Sequence, residues 1–129
     1  MSEWNHKDVW TRRGDHFAVE ICRWSHGAFL GEERQVWNVY VYIYKTHPLY
    51  AKFKTTTSTN YRMKKMHGLE FHGGVTFFER TRAGSVKVGC DYVHAWDDKF
   101  ERSETLDEAW EVKSDADLLW EFMLSKVTQ

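Results

Sequence analysis

Two histidines, two adjacent glycines and a run of carboxylates fall within one stretch, FHGGVTFFERTRAGSVKVGCDYVHAWDD, from Phe71 to Asp98. His72 and His94 are the residues best suited to proton transfer, because imidazole titrates closest to neutrality. Asp91 and Asp97 can orient an imidazole or accept hydrogens from a ligand's hydroxyls. Gly73 and Gly74 allow backbone conformations closed to other residues and let a ligand approach the main chain. Three chemistries suit this set: acid and base catalysis on an ester or phosphodiester, metal binding through imidazole and carboxylate, and recognition of a phosphate or ribose without reaction. No established zinc spacing is present, nor a Gly-x-Ser-x-Gly elbow, a phosphate loop or a dinucleotide fingerprint. No metal is therefore assigned, and the cofactor is left unknown.

These residues need elements that bring them together. Val75–Arg80 and Val86–Asp91 read as two strands joined by a turn at Ala83-Gly84. In an antiparallel hairpin the start of the first strand and the end of the second lie side by side, so His72 is expected beside Asp91 and His94 at the end opposite the turn. Cys90 alternates inward and is a poor candidate nucleophile. His47 precedes Pro48, which biases its backbone to an extended shape and ends the strand before it. His47 is placed near the site as a ligand contact, with less weight than His72.

The remaining elements follow from periodicity. Asp15–Trp24 alternates Phe17, Val19 and Ile21 against Ala18, Glu20 and Cys22, a strand pattern. SHGAFLGEERQ reads as a turn punctuated by Gly27 and Gly31. Val36–Lys45 is the strongest strand, with Val39, Val41 and Ile43 on one face and Tyr40, Tyr42 and Tyr44 on the other. The tyrosine face suits either a covering helix or a ligand. AKFKTTTSTNYRMKKMHGLE has no clean period and reads as a lid or an unstructured segment. Ser114 and Asp117 have capping-box spacing, and Ala116, Leu119, Trp120, Met123 and Val127 recur at helical intervals. The expected fold is α+β: a single domain over residues 1–129, with a two-layer antiparallel sheet of about four strands and a C-terminal covering helix.

Composition narrows the partners. The chain has 129 residues, with 7 Trp, 6 Tyr and 8 Phe, enough large rings for a core and for a pocket or interface. Eighteen basic and 19 acidic side chains leave a net charge of −1, which gives no field to attract duplex nucleic acid or an acidic membrane. No segment reads as a signal peptide or reaches the roughly 18 apolar residues of a spanning helix. The two cysteines, Cys22 and Cys90, make no framework. A cytoplasmic protein with reduced thiols is expected.

HPLY at His47–Tyr50, HGGVTF at His72–Phe77 and GCDYVHAWD at Gly89–Asp97 resemble, in this order, a family of small proteins encoded by bacteriophages and related mobile elements. That family shows an HP…HGGxTF…GxDxxHxxD pattern and has no assigned activity. The resemblance spans Thr46 to Lys126; this chain departs from it in its plain AGSVKVG approach to the aspartate strand. It implies a phage-type setting in a host cytoplasm and picks out His47, His72, Asp91, His94 and Asp97. Small phage proteins often act in counter-defence, an associational argument. The first expectation is binding of a small nucleotide-like or phosphorylated ligand, as in sequestration of a signal. The alternatives are a histidine-based phosphodiesterase or hydrolase of such a ligand, and an inhibitor that blocks a host defence protein by contact. A homodimer is a further candidate assembly.

Overall fold

The computed structural model describes residues 7–29, 32–54, 65–93 and 97–128, with side chains described for 8–25, 34–54, 65–93 and 97–128. In chain order the elements are β1 (Lys7–Arg13), β2 (Phe17–Phe29), β3 (Glu32–Ile43), α1 (Tyr50–Lys54), β4 (Lys65–Met66), β5 (Leu69–Glu70), β6 (Phe77–Arg80), β7 (Val86–Asp91), α2 (Asp98–Glu101) and α3 (Trp110–Val127). Five strands form one sheet in the order β1-β2-β3-β7-β6, and β4 and β5 pair separately. Every pairing is antiparallel. The fold is thus the expected α+β arrangement of an antiparallel sheet and a C-terminal helix, with β1 as a strand the periodicity did not reveal. The turn expected across SHGAFLGEERQ is much shorter. β2 continues through Gly27 to Phe29, β3 begins at Glu32, and a register shift between His26 and Phe29 absorbs the irregularity. Gly31 lies outside the described residues.

Alternation sorts the sheet into two faces. Phe17, Val19 and Ile21 of β2, Trp37, Val39, Val41 and Ile43 of β3, and Val86, Val88 and Cys90 of β7 are all buried in one core. α3 covers this face through Val112, Ala116, Leu119, Trp120 and Met123, which recur every three or four residues. Trp120 packs on Phe17 with ring centroids 4.6 Å apart, and the Arg12 guanidinium lies 4.0 Å above its ring. The opposite face carries Tyr40, Tyr42 and Phe77 gathered around the Lys87 ammonium, so the tyrosines are not what the helix covers.

The capping box expected at Ser114 is not where α3 starts. The helix begins at Trp110, and Ser114 is an exposed residue inside it. The chain instead enters through a turn in which Thr105 Oγ1 accepts the Glu108 N–H at 3.2 Å and Oγ1 bonds the Glu108 carboxylate at 3.1 Å. Thr105 and Glu108 have the same spacing as Ser114 and Asp117 and lie further upstream.

Part of the segment read as irregular is also ordered. β4 and β5 form a hairpin whose two turn residues, His67 (φ 51°) and Gly68 (φ 94°), both have positive φ, as a type I′ turn requires. Histidine is among the few side chains that tolerate this region. A Cβ on Gly68 would meet the Phe122 ring of α3 at 2.5 Å, so the hairpin tip rests directly on the helix. Residues 55–64 lie outside the described residues. No helix among the described residues is long and apolar enough to cross a membrane.

Candidate functional site

His72 sits in the turn that leads from β5 towards β6. The Gly74 N–H donates to the Phe71 carbonyl at 3.0 Å and closes the turn around His72 and Gly73. Gly73, with φ 67°, occupies the third position, where a type II turn needs a left-handed backbone and therefore glycine. Gly74 follows at φ 103°. The paired glycines thus have a local task, to set the angle from which the His72 ring enters the structure. The β6–β7 hairpin pairs antiparallel as expected, Phe77 opposite Gly89 and Arg80 opposite Val86, with Gly84 in its turn at φ 88°.

The ring is fixed on two sides. Nε2 of His72 bonds Asp97 Oδ1 at 2.8 Å; the Asp97 side chain is 1% exposed and the His72 side chain 22%. An ionised carboxylate only accepts, so Nε2 carries the proton in this bond. The ring also stacks on Tyr92 with centroids 4.3 Å apart and an interplanar angle of 14°, and meets the Phe100 ring edge-on at 5.9 Å. The Tyr92 hydroxyl donates in turn to Asp115 Oδ2 at 2.6 Å. Burial, and then the nearby Cys90 and Asp115, push the Tyr92 phenol far above its ordinary range, so it remains a donor.

Asp97 is placed by α2. Its backbone carbonyl accepts the Phe100 N–H at 2.9 Å, and its side chain makes no cap bond to the helix. An aspartate just before a helix ordinarily serves as a cap. Here the carboxylate is directed to the histidine.

His72 opens on a cleft of about 500 Å³ between α3 and the segment that precedes β6. Gly68, Glu70, Phe71 and Gly73 line one wall, and Asp115, Leu118, Leu119 and Phe122 line the other. The second wall is one helix stripe, spaced i, i+3, i+4 and i+7. Among the described residues, the polar side chains that line the cleft are one imidazole and two carboxylates, while Phe71, Leu118, Leu119 and Phe122 supply apolar surface.

The structure rearranges the expected constellation. Asp97 joins His72, but Asp91 does not. Asp91 alternates onto the face shared by Tyr40 and Lys87, opposite Cys90, and its Oδ1 accepts the Val93 N–H at 3.3 Å in a local turn. The juxtaposition of His72 and Asp91 fails because hairpin pairing fixes which strand ends meet, not which face each side chain takes. His94 lies outside the described residues. His47 is 2% exposed and spends both nitrogens on the backbone: Nδ1 accepts the Leu49 N–H and Nε2 bonds the Met123 carbonyl, each at 3.0 Å. It pins α3 to the end of β3 rather than projecting towards a ligand. The expected inward placement of Cys90 is seen, and burial pushes its thiol far above the usual range, which makes it a weak nucleophile. Among the described residues no group of three or more His, Cys, Asp or Glu side chains is placed to hold a metal ion.

Asp115, Glu70, Tyr92, Gly68 and Phe122 were not singled out in the sequence. The helix stripe through Asp115, Leu118, Leu119 and Phe122 is the signal that could have found four of the cleft's lining residues, since it adjoins the core stripe and shares Leu119 with it. No protein family, curated protein or solved structure matches this chain.

Proposed function

We propose that the chain binds a small nucleotide-like molecule, with the nucleoside part held in the cleft beside His72. The observation that carries this reading is the His72–Asp97 pair: a histidine whose ring is locked by a buried carboxylate and by stacking on Tyr92, yet which opens on a cleft. Such an arrangement holds a polar contact in place before the ligand arrives and lowers the ordering cost of binding. Glu70 and Asp115 suit hydrogen donors on the ligand, ribose hydroxyls or base amino groups, and Phe71 and Phe122 suit an aromatic base. The resemblance to phage-encoded proteins supports a role in sequestering such a molecule in an infected cell. The test is a thermal-shift and calorimetric screen against nucleosides, nucleotides and cyclic nucleotides. At least one is expected to raise the melting temperature of the wild-type chain and not that of His72→Ala. If no member of the panel shifts the wild-type chain, or if His72→Ala binds as tightly, the reading is refuted.

The same pair supports a second reading, hydrolysis of a phosphoester in that ligand. A carboxylate that fixes one imidazole nitrogen leaves the ring oriented for general base work on a water molecule. Turnover of cyclic nucleotides followed by phosphorus NMR tests it: product formation that falls at least a hundredfold in His72→Ala and in Asp97→Ala supports hydrolysis, and unchanged substrate leaves binding alone.

A further inference from the structure

Asp115 stands in the second turn of α3, half-buried, and lines the cleft from the helix side. Its Oδ2 accepts the Tyr92 hydroxyl at 2.6 Å, which is its one hydrogen bond among the described residues. Tyr92 is itself 1% exposed and packs on the rings of His72 and Phe100, so this donor is anchored in the core. The plane of the carboxylate is thereby held, with Oδ1 left for whatever enters the cleft. Oδ2 keeps a second lone pair and can accept from a ligand as well as from Tyr92. Glu70, on the other wall, is exposed and makes no hydrogen bond or ion pair with the described residues, so nothing fixes its direction. No lysine or arginine among the described residues lines the cleft, which favours an uncharged nucleoside face over a phosphate at this point.

A carboxylate fixed in this way discriminates between bases. When ionised it offers acceptors and no donor. Bases held outside a duplex are read on their Watson–Crick edges. Guanine presents two adjacent donors there, the ring N1–H and the 2-amino group. Adenine and cytosine each present one amino donor beside a ring nitrogen that accepts, and uracil presents one N–H between two carbonyls. Every one of these bases except guanine therefore sets an acceptor against an acceptor, and an unpaired polar contact of this kind is what makes a site selective.

We infer that Asp115 sets the base specificity of this cleft and that the base it selects is guanine. The N1–H and the 2-amino group face the Asp115 carboxylate, and Phe71 and Phe122 supply aromatic surface for the ring. Glu70 is left for the ribose hydroxyls. Tyr92 is a positioning residue, because it acts through Asp115. Its ring also carries His72 on its face, so one phenol aligns polar contacts on both walls of the cleft. The inference rests on the nucleotide-like reading of the cleft and adds which base the cleft takes.

The probes are guanosine, inosine, adenosine, cytidine and uridine, each titrated calorimetrically into the full chain. Guanosine is expected to bind tightest. Inosine, which differs only by the missing 2-amino group, should bind about tenfold or more weakly, since one hydrogen bond to a charged acceptor is lost. Adenosine loses both donors from that edge and should bind about a hundredfold or more weakly. Asp115→Asn offers one acceptor and one donor, which matches the adenine edge, so the guanosine-to-adenosine affinity ratio should fall at least tenfold. A merely structural role would weaken all five nucleosides alike and leave that ratio unchanged. Tyr92→Phe keeps the ring beneath His72 and removes only the hydroxyl, and it should weaken guanosine more than adenosine. Melting curves of both variants check the fold, and if Asp115→Asn does not fold, the wild-type ranking of guanosine, inosine and adenosine decides. Adenosine or a pyrimidine nucleoside that binds as tightly as guanosine overturns the inference, and if that binding is lost in His72→Ala the reading of the cleft still stands. An unchanged ratio in a folded Asp115→Asn overturns it too. A wild-type chain that binds no nucleoside and no nucleotide overturns both.

Discussion

Lowering the pH should destabilise this fold through His47. Its Nδ1 accepts the Leu49 N–H, so the proton of the neutral ring must sit on Nε2, where it donates to the Met123 carbonyl. Both bonds are satisfied by that one tautomer. A second proton has only Nδ1 to occupy, where it would confront a backbone N–H and break the bond to Leu49. Burial holds the imidazole below its ordinary range, the bond to Met123 opposes that shift, and His16 adds a smaller push downwards. The unfolded chain therefore takes up the proton first, near the reference value of about 6.5. Stability from this residue is intact above that pH and is lost as pH falls towards the folded-state value. The slope cannot exceed about 1.4 kcal/mol per pH unit for one group, so up to about 1 kcal/mol should disappear between roughly pH 6.5 and 5.5. Urea unfolding of wild type and His47→Ala at steps across that window is the assay. The variant should lose about 2–4 kcal/mol at neutral pH, because it removes a buried ring and leaves the Leu49 N–H without its acceptor. Its stability should then fall less steeply with acid than that of wild type. Equal slopes in the two proteins would refute the tautomer argument, since the remaining histidines are common to both.

Three further outcomes follow from named contacts. Trp120→Ala should cost about 3–5 kcal/mol in urea unfolding, as expected for a ring 8% exposed against Phe17; Trp120→Phe should cost well under half of that, because the buried indole N–H has no partner among the described residues. Gly68→Ala places a side chain at φ 94° and against Phe122, so a loss of roughly 1–3 kcal/mol is expected, and a loss below about 0.5 kcal/mol would contradict the type I′ turn. Nitrogen NMR of the His72 ring at pH 8 should show the proton on Nε2, and Asp97→Ala should redistribute it between the two nitrogens; a ring already protonated mainly on Nδ1 in wild type would contradict the bond to Asp97.

How much of this was legible in the sequence depended on the range of the interactions involved. The β-branched alternation of Val39, Val41 and Ile43 and the stripe through Ala116, Leu119, Trp120 and Met123 encode which face is buried, and burial is what the sheet and helix require. The hairpin of β6 and β7 was legible for the same reason, with Gly84 in its turn. β1 was not. Its KDVWTRR mixes charge with single apolar residues, as an edge strand does, and edge strands carry little periodic signal. The β4–β5 hairpin has two residues per strand, too few for a period, and its only local mark is the His67-Gly68 pair.

The site was legible in its residue types and illegible in its pairing. Asp91 looked like the partner of His72 because hairpin geometry brings their chain positions together, yet alternation turns the Asp91 side chain to the Tyr40 face, where its carboxylate closes a turn on Val93. Asp97 is six residues further on, beyond the strand, and its position depends on α2 and on Phe100, which packs against the rings of both His72 and Tyr92. A short helix of four residues gives no periodic signal that could have predicted it. His47 shows the converse. A histidine before proline at a strand end resembles a ligand contact, and only the arrival of the Met123 carbonyl, 76 residues later, reveals it as a structural bond. A polar residue becomes functional or structural according to what long-range packing places on its second hydrogen-bonding position. For His47 both positions are taken by backbone groups, one of them the Met123 carbonyl of α3, whereas the His72 ring is held by the Asp97 side chain and lines the cleft.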